Sequence, residues 1–222
     1  MITEERIAAF IRSLEGPEDP VLADIREEAQ AENVPVVRKE TEALLSFFTD
    51  LLRPMRILEV GSAVGYSALV MNMRQPEGGT LTTIENYAPR IPKALRNFEK
   101  AGRQDRITLI PGDAGEILKT LEGSYDLIFM DAAKGQYIVW LPDVLRLLAP
   151  HGVLISDNVL QDGEVIRSRY AVVRRNRTIH KRMRAYLHEL KHREDLSTMV
   201  LPLGDGVSVT TGRGEKAPFG EL

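Results

Sequence analysis

From Met55 onward the chain alternates short apolar runs with helix-length segments, and that alternation leaves few architectures open. The strand candidates are Arg56–Val60, Thr80–Ile84, Ile107–Ile110, Leu127–Met130 and Val153–Ser156. Between them lie Tyr66–Arg74, Arg90–Ala101, Ala114–Thr120 and Tyr137–Leu148, each long enough for a helix. Strands and helices in strict alternation, with short connections, imply a parallel sheet covered on both faces. Two further strands are expected near Ser197–Pro202 and Val207–Thr211, around Leu203-Gly204-Asp205-Gly206. Asp-Gly is a strong turn signal, so this pair reads as a hairpin at the end of the sheet. The expectation is an α/β fold with seven strands, mostly parallel, closed by an antiparallel hairpin.

The first 54 residues read as helices capping that core. Ile7, Phe10, Ile11 and Leu14 follow helical spacing, and Gly16-Pro17 ends the segment. Further helices are expected near Pro20–Glu32 and over Lys39–Leu52, the latter with Leu44, Leu45, Phe48, Leu51 and Leu52 on one side. No repeat and no Gly/Ser/Pro-rich linker divides the 222 residues, so one domain is expected, with residues 55–213 as its core. The last residues, Gly214–Leu222, read as a frayed tail. No apolar run approaches the roughly 20 residues of a membrane span. The first 20 residues lack the apolar core of a signal peptide, so a cytoplasmic protein with no membrane partner is expected. There is no Cys, which excludes disulfides, thiolate zinc sites and thiol catalysis.

Ile57-Leu58-Glu59-Val60-Gly61-Ser62-Ala63-Val64-Gly65 ends the first strand and opens a helix. Gly61 permits a tight turn and close approach of a ligand, and Gly65 permits close packing of the helix start. A dinucleotide fingerprint would have glycines where Ala63 and Tyr66 stand, so a nicotinamide dehydrogenase is disfavoured. With Glu59 two residues before Gly61, the run reads as a nucleoside-binding loop. Glu85 ends the next strand, about 20 residues on, at the spacing where an acid meets ribose hydroxyls. Asp113 follows the third strand. Each acid alone would pass as a cap or turn former; three in register with a glycine loop point to a nucleoside site.

Asp131 and Asp157 end neighbouring strands, with Asn158 beside the second. Two carboxylates and an amide oxygen are hard ligands that suit Mg²⁺, and also Mn²⁺ or Ca²⁺. Lys134 follows Asp131 by three residues and can lean over the same corner, where a lysine near a cation is a candidate base. Asx caps with a solvated lysine are the plainer alternative.

Leu58–Ser67, Asp131–Tyr137, Ser156–Gly163 and Pro202–Gly206 together resemble the cation-dependent O-methyltransferases that use S-adenosylmethionine, a group including the catechol and caffeoyl-CoA enzymes. The resemblance runs from about Pro35 to Thr211 and is most specific in Asp131-Ala-Ala-Lys-Gly-Gln-Tyr137 with Asp157-Asn158. It implies a Rossmann-like methyltransferase fold, a metal held by Asp131, Asp157 and Asn158, and Lys134 as base. It also implies S-adenosylmethionine contacts from Val37, Glu59, Gly61, Ser67, Glu85, Asp113, Ala114 and Asp131, and a homodimer. The implied acceptor offers two adjacent oxygens to the metal, one of which attacks the sulfonium methyl in line.

From Val165 to His188 there are seven Arg, one Lys and no acid, a segment of +8 on a remainder of −11. Ile179, Met183, Tyr186, Leu187 and Leu190 form an apolar helical stripe, and Arg174, Arg175 and Arg177 fall off it. Such a run is ordinarily a solvated face, but on an acidic body it also fits a phosphate footprint. The motifs are most similar to the bacterial branch that methylates 5-hydroxyuridine in tRNA. The expectation is therefore tRNA as acceptor, contacted by Arg174, Arg175 and Arg177, with a small catechol or phenylpropanoid as the alternative. A non-catalytic nucleotide- or RNA-binding module is the reading from another class. It predicts loss of the metal triad, and all of Asp131, Asp157, Asn158 and Lys134 are present.

Overall fold

In the computed structural model, which describes residues 5–168 and 170–213, three helices precede the first strand: α1 (Glu5–Ser13), α2 (Pro20–Ala31) and α3 (Lys39–Leu52). The core then runs β1 (Arg56–Val60), α4 (Tyr66–Asn72), β2 (Thr80–Glu85), α5 (Ile91–Lys100), β3 (Ile107–Pro111), α6 (Ala114–Thr120), β4 (Tyr125–Met130), α7 (Tyr137–Leu147) and β5 (Leu148–Ser156). It ends with α8 (Arg177–His192), β6 (Leu196–Leu201) and β7 (Val207–Gly212). The sheet order is β3-β2-β1-β4-β5-β7-β6. The first five strands pair in parallel, and β7 pairs antiparallel with both β5 and β6. This is the expected seven-stranded Rossmann-like sheet with its closing hairpin.

Strand order reverses between β1 and β4. The chain leaves β1 toward β2 and β3, then returns to β4 on the other side, so the loops after β1 and β4 part and leave a crevice. Both sheet faces are dry. Ile57, Leu127, Phe129 and Ile155 pack under α3 to α5, and Leu58, Ile128, Met130 and Leu154 pack under α6 to α8. Those strands read as continuous apolar runs because neither face meets water.

One strand boundary differs from the sequence reading by more than two residues. β5 begins at Leu148, directly out of α7, because Leu148 already pairs with Tyr125. In the basic segment, Arg174–Asn176 form a 3-10 turn, and α8 starts at Arg177. The stripe of α8 buries Met183, Tyr186 and Leu190 but leaves Ile179 37% exposed, while His180 is buried with Nε2 3.1 Å from the Arg167 carbonyl. The stripe of α1 is helical as expected but faces outward, and Ile7, Phe10, Ile11 and Leu14 are exposed. The tail expected at Gly214–Leu222 lies outside the described residues. Among the described residues no helix is long and apolar enough to cross a membrane.

Two glycines are dictated by packing. Gly61 has φ +103, and a Cβ there would stand 2.2 Å from the Asp131 carbonyl oxygen. Gly65 has φ +81, and a Cβ would stand 2.4 Å from the Phe98 ring. Phe98 could shift; the Asp131 backbone, bonded through its N–H to the Val60 carbonyl at 2.9 Å, cannot without breaking the sheet end. Gly61→Ala should therefore cost about 3 kcal/mol or more of unfolding free energy in a urea titration. A variant as stable as wild type would show that the β1 and β4 loops are not locked together.

Candidate functional site

A cavity of about 690 Å³ opens at the carboxyl ends of β1, β2, β4 and β5. Its size lies in the range of roughly 300–1,000 Å³ typical of ligand pockets. The wall brings together Val37, Gly61, Glu85, Asp113, Ala114, Asp131, Lys134, Asp157 and Asn158 from the sequence reading. Glu59 and Ser67 do not line that wall. Glu59 points inward from β1, fully buried, and accepts from Thr83 Oγ1 at 2.5 Å. Ser67 is buried in the first turn of α4.

The half of the cavity over β1 to β3 is built around Glu85. One of its oxygens accepts the Ala63 N–H at 2.7 Å and the other accepts the Tyr87 N–H at 2.8 Å. Ala63 is held with φ +46, a left-handed conformation that is costly for a residue with a Cβ. Glu85 thus fixes the glycine loop as well as facing the cavity. Asp113 caps α6, its Oδ1 accepting from Gly115 N–H at 2.9 Å and Glu116 N–H at 3.2 Å. The plain reading of Asp113 as a cap is therefore true, and it stands on the cavity wall as well. Ile84, Ala114 and Trp140 supply apolar surface beside it.

The cover of this half comes from the segment between α2 and α3. Arg26 donates to the Val37 carbonyl at 3.2 Å and to Tyr66 Oη at 2.7 Å. It is itself paired with Glu18 and Glu42. Tyr66 follows Gly65, so one guanidinium ties the cover to the glycine loop.

The other half is the corner between β4 and β5. Met130 pairs with Ser156 at the last rung, so Asp131 and Asp157 leave adjacent strands side by side, about 5 Å apart at the backbone. Lys134 Nζ lies 2.6 Å from Asp131 Oδ1. The Asp157 carboxylate takes the Asn158 N–H at 2.7 Å and a long contact of 3.4 Å from Thr41 Oγ1. Burial, and then the Asp131 charge, push its carboxyl up to about 6. Asn158 sits at φ +59, a conformation asparagine tolerates. Its amide is 3.5 Å from Asp205, which pairs with Arg38 at 2.9 Å. Among the described residues no three His, Cys, Asp or Glu side chains are placed to hold an ion by themselves. The expected ligand set has two carboxylates and is completed by the Asn158 amide.

Arg38, Thr41, Gln136, Trp140 and Asp205 line the cavity without having been singled out as site residues. Asp205 was visible only as a turn residue in Gly204-Asp205-Gly206, and nothing in local sequence marks Thr41. Of the basic residues expected at the surface, Arg174 and Arg175 are exposed, but Arg177 donates to the Val172 carbonyl at 3.1 Å and is half-buried. Arg182 and Arg184 donate to the carbonyls of Gly135 and Val165 at 3.0 and 2.9 Å.

Comparison with known proteins agrees with this geometry. A profile of the O-methyltransferase family matches residues 12–212. The chain belongs to the O-methyltransferase family. It is 30% identical over 168 residues to a catechol O-methyltransferase of Niastella koreensis, covering 73% of this chain and 76% of that one. It is 30% identical over 156 residues to the caffeoyl-CoA O-methyltransferase of Stellaria longipes, covering 61% and 65%. An SAH-bound methyltransferase of Podospora anserina superposes with a TM-score of 0.85 at 26% identity, over 95% of each chain. The O-methyltransferase TomG of Streptomyces achromogenes, solved in complex with SAM, gives 0.84 at 25% identity, over 96% of this chain and all of that one.

Glu59 offers a test of the site's electrostatics. Burial, with the nearby Asp131 and Glu85 charges, pushes its carboxyl from 4.5 up to about 7. Between those values the folded protein keeps a proton that the unfolded chain has lost. Its contribution is therefore intact below pH 4.5 and is lost as pH rises through 7, by up to about 3 kcal/mol. Glu59→Gln should flatten the fall in urea midpoint between pH 5 and pH 8. An unchanged pH slope in the variant would contradict this assignment.

Proposed function

We propose that this O-methyltransferase uses S-adenosylmethionine and a divalent cation, Mg²⁺ by preference, to methylate a hydroxyl that has a second oxygen beside it, as in a catechol. The observation that carries this reading is the corner of Asp131, Asp157, Asn158 and Lys134 in the same cavity as the Glu85 and glycine-loop half. The corner fits a cation: of two carboxylates on adjacent strands, one is pushed up to about 6 by burial and then by the other's charge, a deficit that a cation relieves. The catechol and caffeoyl-CoA relatives support an acceptor with adjacent oxygens, and the SAH- and SAM-bound neighbours support the methyl donor.

When bound, S-adenosylmethionine supplies an electrophilic methyl, and a cation supplies the Lewis acidity that makes a hydroxyl easier to deprotonate. The protein does the rest. Val37, Gly61, Glu85, Asp113, Ala114 and Trp140 shape the nucleoside half, with Glu85 and Asp113 facing hydroxyl and amine donors. Asp131, Asp157 and Asn158 would hold the ion at the end of the cavity where Lys134 stands. Lys134, positioned by Asp131, receives the acceptor proton at Nζ only as the neutral amine, so its own ammonium proton must first leave to solvent. The acceptor oxygen bonds to the methyl carbon as the carbon–sulfur bond breaks, and most of the acceleration is positioning.

A second acceptor, 5-hydroxyuridine in tRNA, also offers adjacent oxygens at O5 and O4. Exposed Arg174, Arg175 and Lys181 favour it, but the engagement of Arg177, Arg182 and Arg184 with backbone carbonyls weakens the phosphate footprint. A homodimer is part of the proposal as well; the exposed apolar faces of α1 (Ile7, Phe10, Ile11) and α3 (Phe47, Leu51) support it.

Methyl transfer to a catechol and to tRNA bearing 5-hydroxyuridine should be measured with Mg²⁺ and with EDTA. The catechol should be methylated in Mg²⁺, a monophenol should not, and EDTA should abolish turnover while S-adenosylmethionine still binds by calorimetry. Full turnover in chelator would sink the metal reading. If tRNA is the better acceptor, replacing Arg174 and Arg175 with Ala should raise its KM and flatten its salt dependence, leaving catechol turnover unchanged.

A further inference from the structure

Tyr137 opens α7 and is completely buried. Its hydroxyl lies under the corner between β4 and β5. The oxygen accepts the Ala132 N–H at 3.2 Å, and its single proton faces the Met130 carbonyl at 3.0 Å and the Asp157 carbonyl at 3.3 Å. Residues 130 and 132 flank Asp131, and the third contact is Asp157 itself. The Met130 carbonyl also takes the Asp157 N–H at 3.0 Å. One buried oxygen therefore joins the two strand ends at the points where the two carboxylates depart.

That position is where the sheet stops helping. Met130 and Ser156 form the last rung of the β4–β5 ladder. Beyond it the backbones turn into separate loops, and two neighbouring carboxylates repel. The ring cannot drift. It packs edge-on against Tyr186 with centroids 5.5 Å apart, and Tyr186 Oη is 2.6 Å from Ser156 Oγ, the residue before Asp157. Lys134 lies in the 3-10 turn that joins Asp131 to Tyr137.

We propose that Tyr137 is the positioning residue of the cation site: its hydroxyl sets the spacing of Asp131 and Asp157 for an ion. The proposal rests on the metal reading above. Groups that orient metal ligands without touching the metal typically govern affinity by about 10–100-fold. A tyrosine that merely filled the core would affect stability and leave ion affinity alone.

Tyr137→Phe keeps the ring and removes the oxygen. Mn²⁺ alone, titrated into wild type, Tyr137→Phe, Tyr186→Phe and Asp157→Ala and followed by electron paramagnetic resonance, separates the cases. The expected result is a Kd for Mn²⁺ raised about 10–100-fold in Tyr137→Phe, with S-adenosylmethionine affinity unchanged by calorimetry and turnover restored by excess Mn²⁺. Tyr186→Phe, which leaves the Tyr137 hydroxyl in place, should bind Mn²⁺ as wild type does. Wild-type Mn²⁺ affinity in a folded Tyr137→Phe, with binding lost in Asp157→Ala, overturns the proposal alone. Absence of Mn²⁺ binding in wild type, or its survival in Asp157→Ala, overturns the metal reading and the proposal with it. Should Tyr137→Phe not fold, hydrogen exchange of wild type decides. The Ala132 amide should exchange as slowly as the β4 strand amides, and loop-like exchange overturns the proposal.

Discussion

Two carboxylates leave adjacent parallel strands at the same level, and the surrounding structure is arranged to tolerate that repulsion. Asp131 and Asp157 follow the last β4–β5 rung. Burial raises the Asp157 carboxyl first, and the like charge of Asp131 raises it further. Lys134 offsets the charge of Asp131, and Asn158 donates its own N–H to Asp157. Backbone position is held by Tyr137 from below and by the close passage of Gly61 under the Asp131 carbonyl. The glycine of the nucleoside loop is thus also a part of the acid corner, which couples the two halves of the cavity mechanically.

The nucleoside half shows the same economy. Glu85 holds Ala63 in a left-handed conformation and so replaces what a second loop glycine would have allowed. A residue with a Cβ is tolerated there because a carboxylate takes its N–H. The cover over this half is bound through Arg26, whose partners reach Val37 on one side and Tyr66 on the other. The helices before β1 are therefore part of the site.

The basic segment teaches a different lesson. Counted as charge it is a footprint; placed in three dimensions it is partly scaffold. Arg182 holds the Gly135 carbonyl, next to Lys134, and Arg184 and Arg177 hold the loop that precedes α8. A guanidinium with its donors on backbone carbonyls still contributes field, but it is not free to follow a phosphate backbone.

Fold class and part of the cavity wall were legible in the sequence, for a physical reason. Alternating apolar runs and helical segments leave few architectures, all with a parallel sheet, and strand-end positions such as Glu85, Asp113, Asp131 and Asp157 fall on its carboxyl edge. Local sequence also placed Lys134, because three residues is the reach of one turn. It could not say that Glu59 turns inward, since β-strand alternation assigns faces only once the register is known. Nor could it bring in Thr41, Arg38 and Asp205, which reach the corner from elements far apart in the chain. The chemistry of the site was written in residue types at strand ends. Which acids face the cavity, which arginines are already engaged, and which buried hydroxyl joins the two strands were decided by packing, because each depends on a partner that lies elsewhere in the chain.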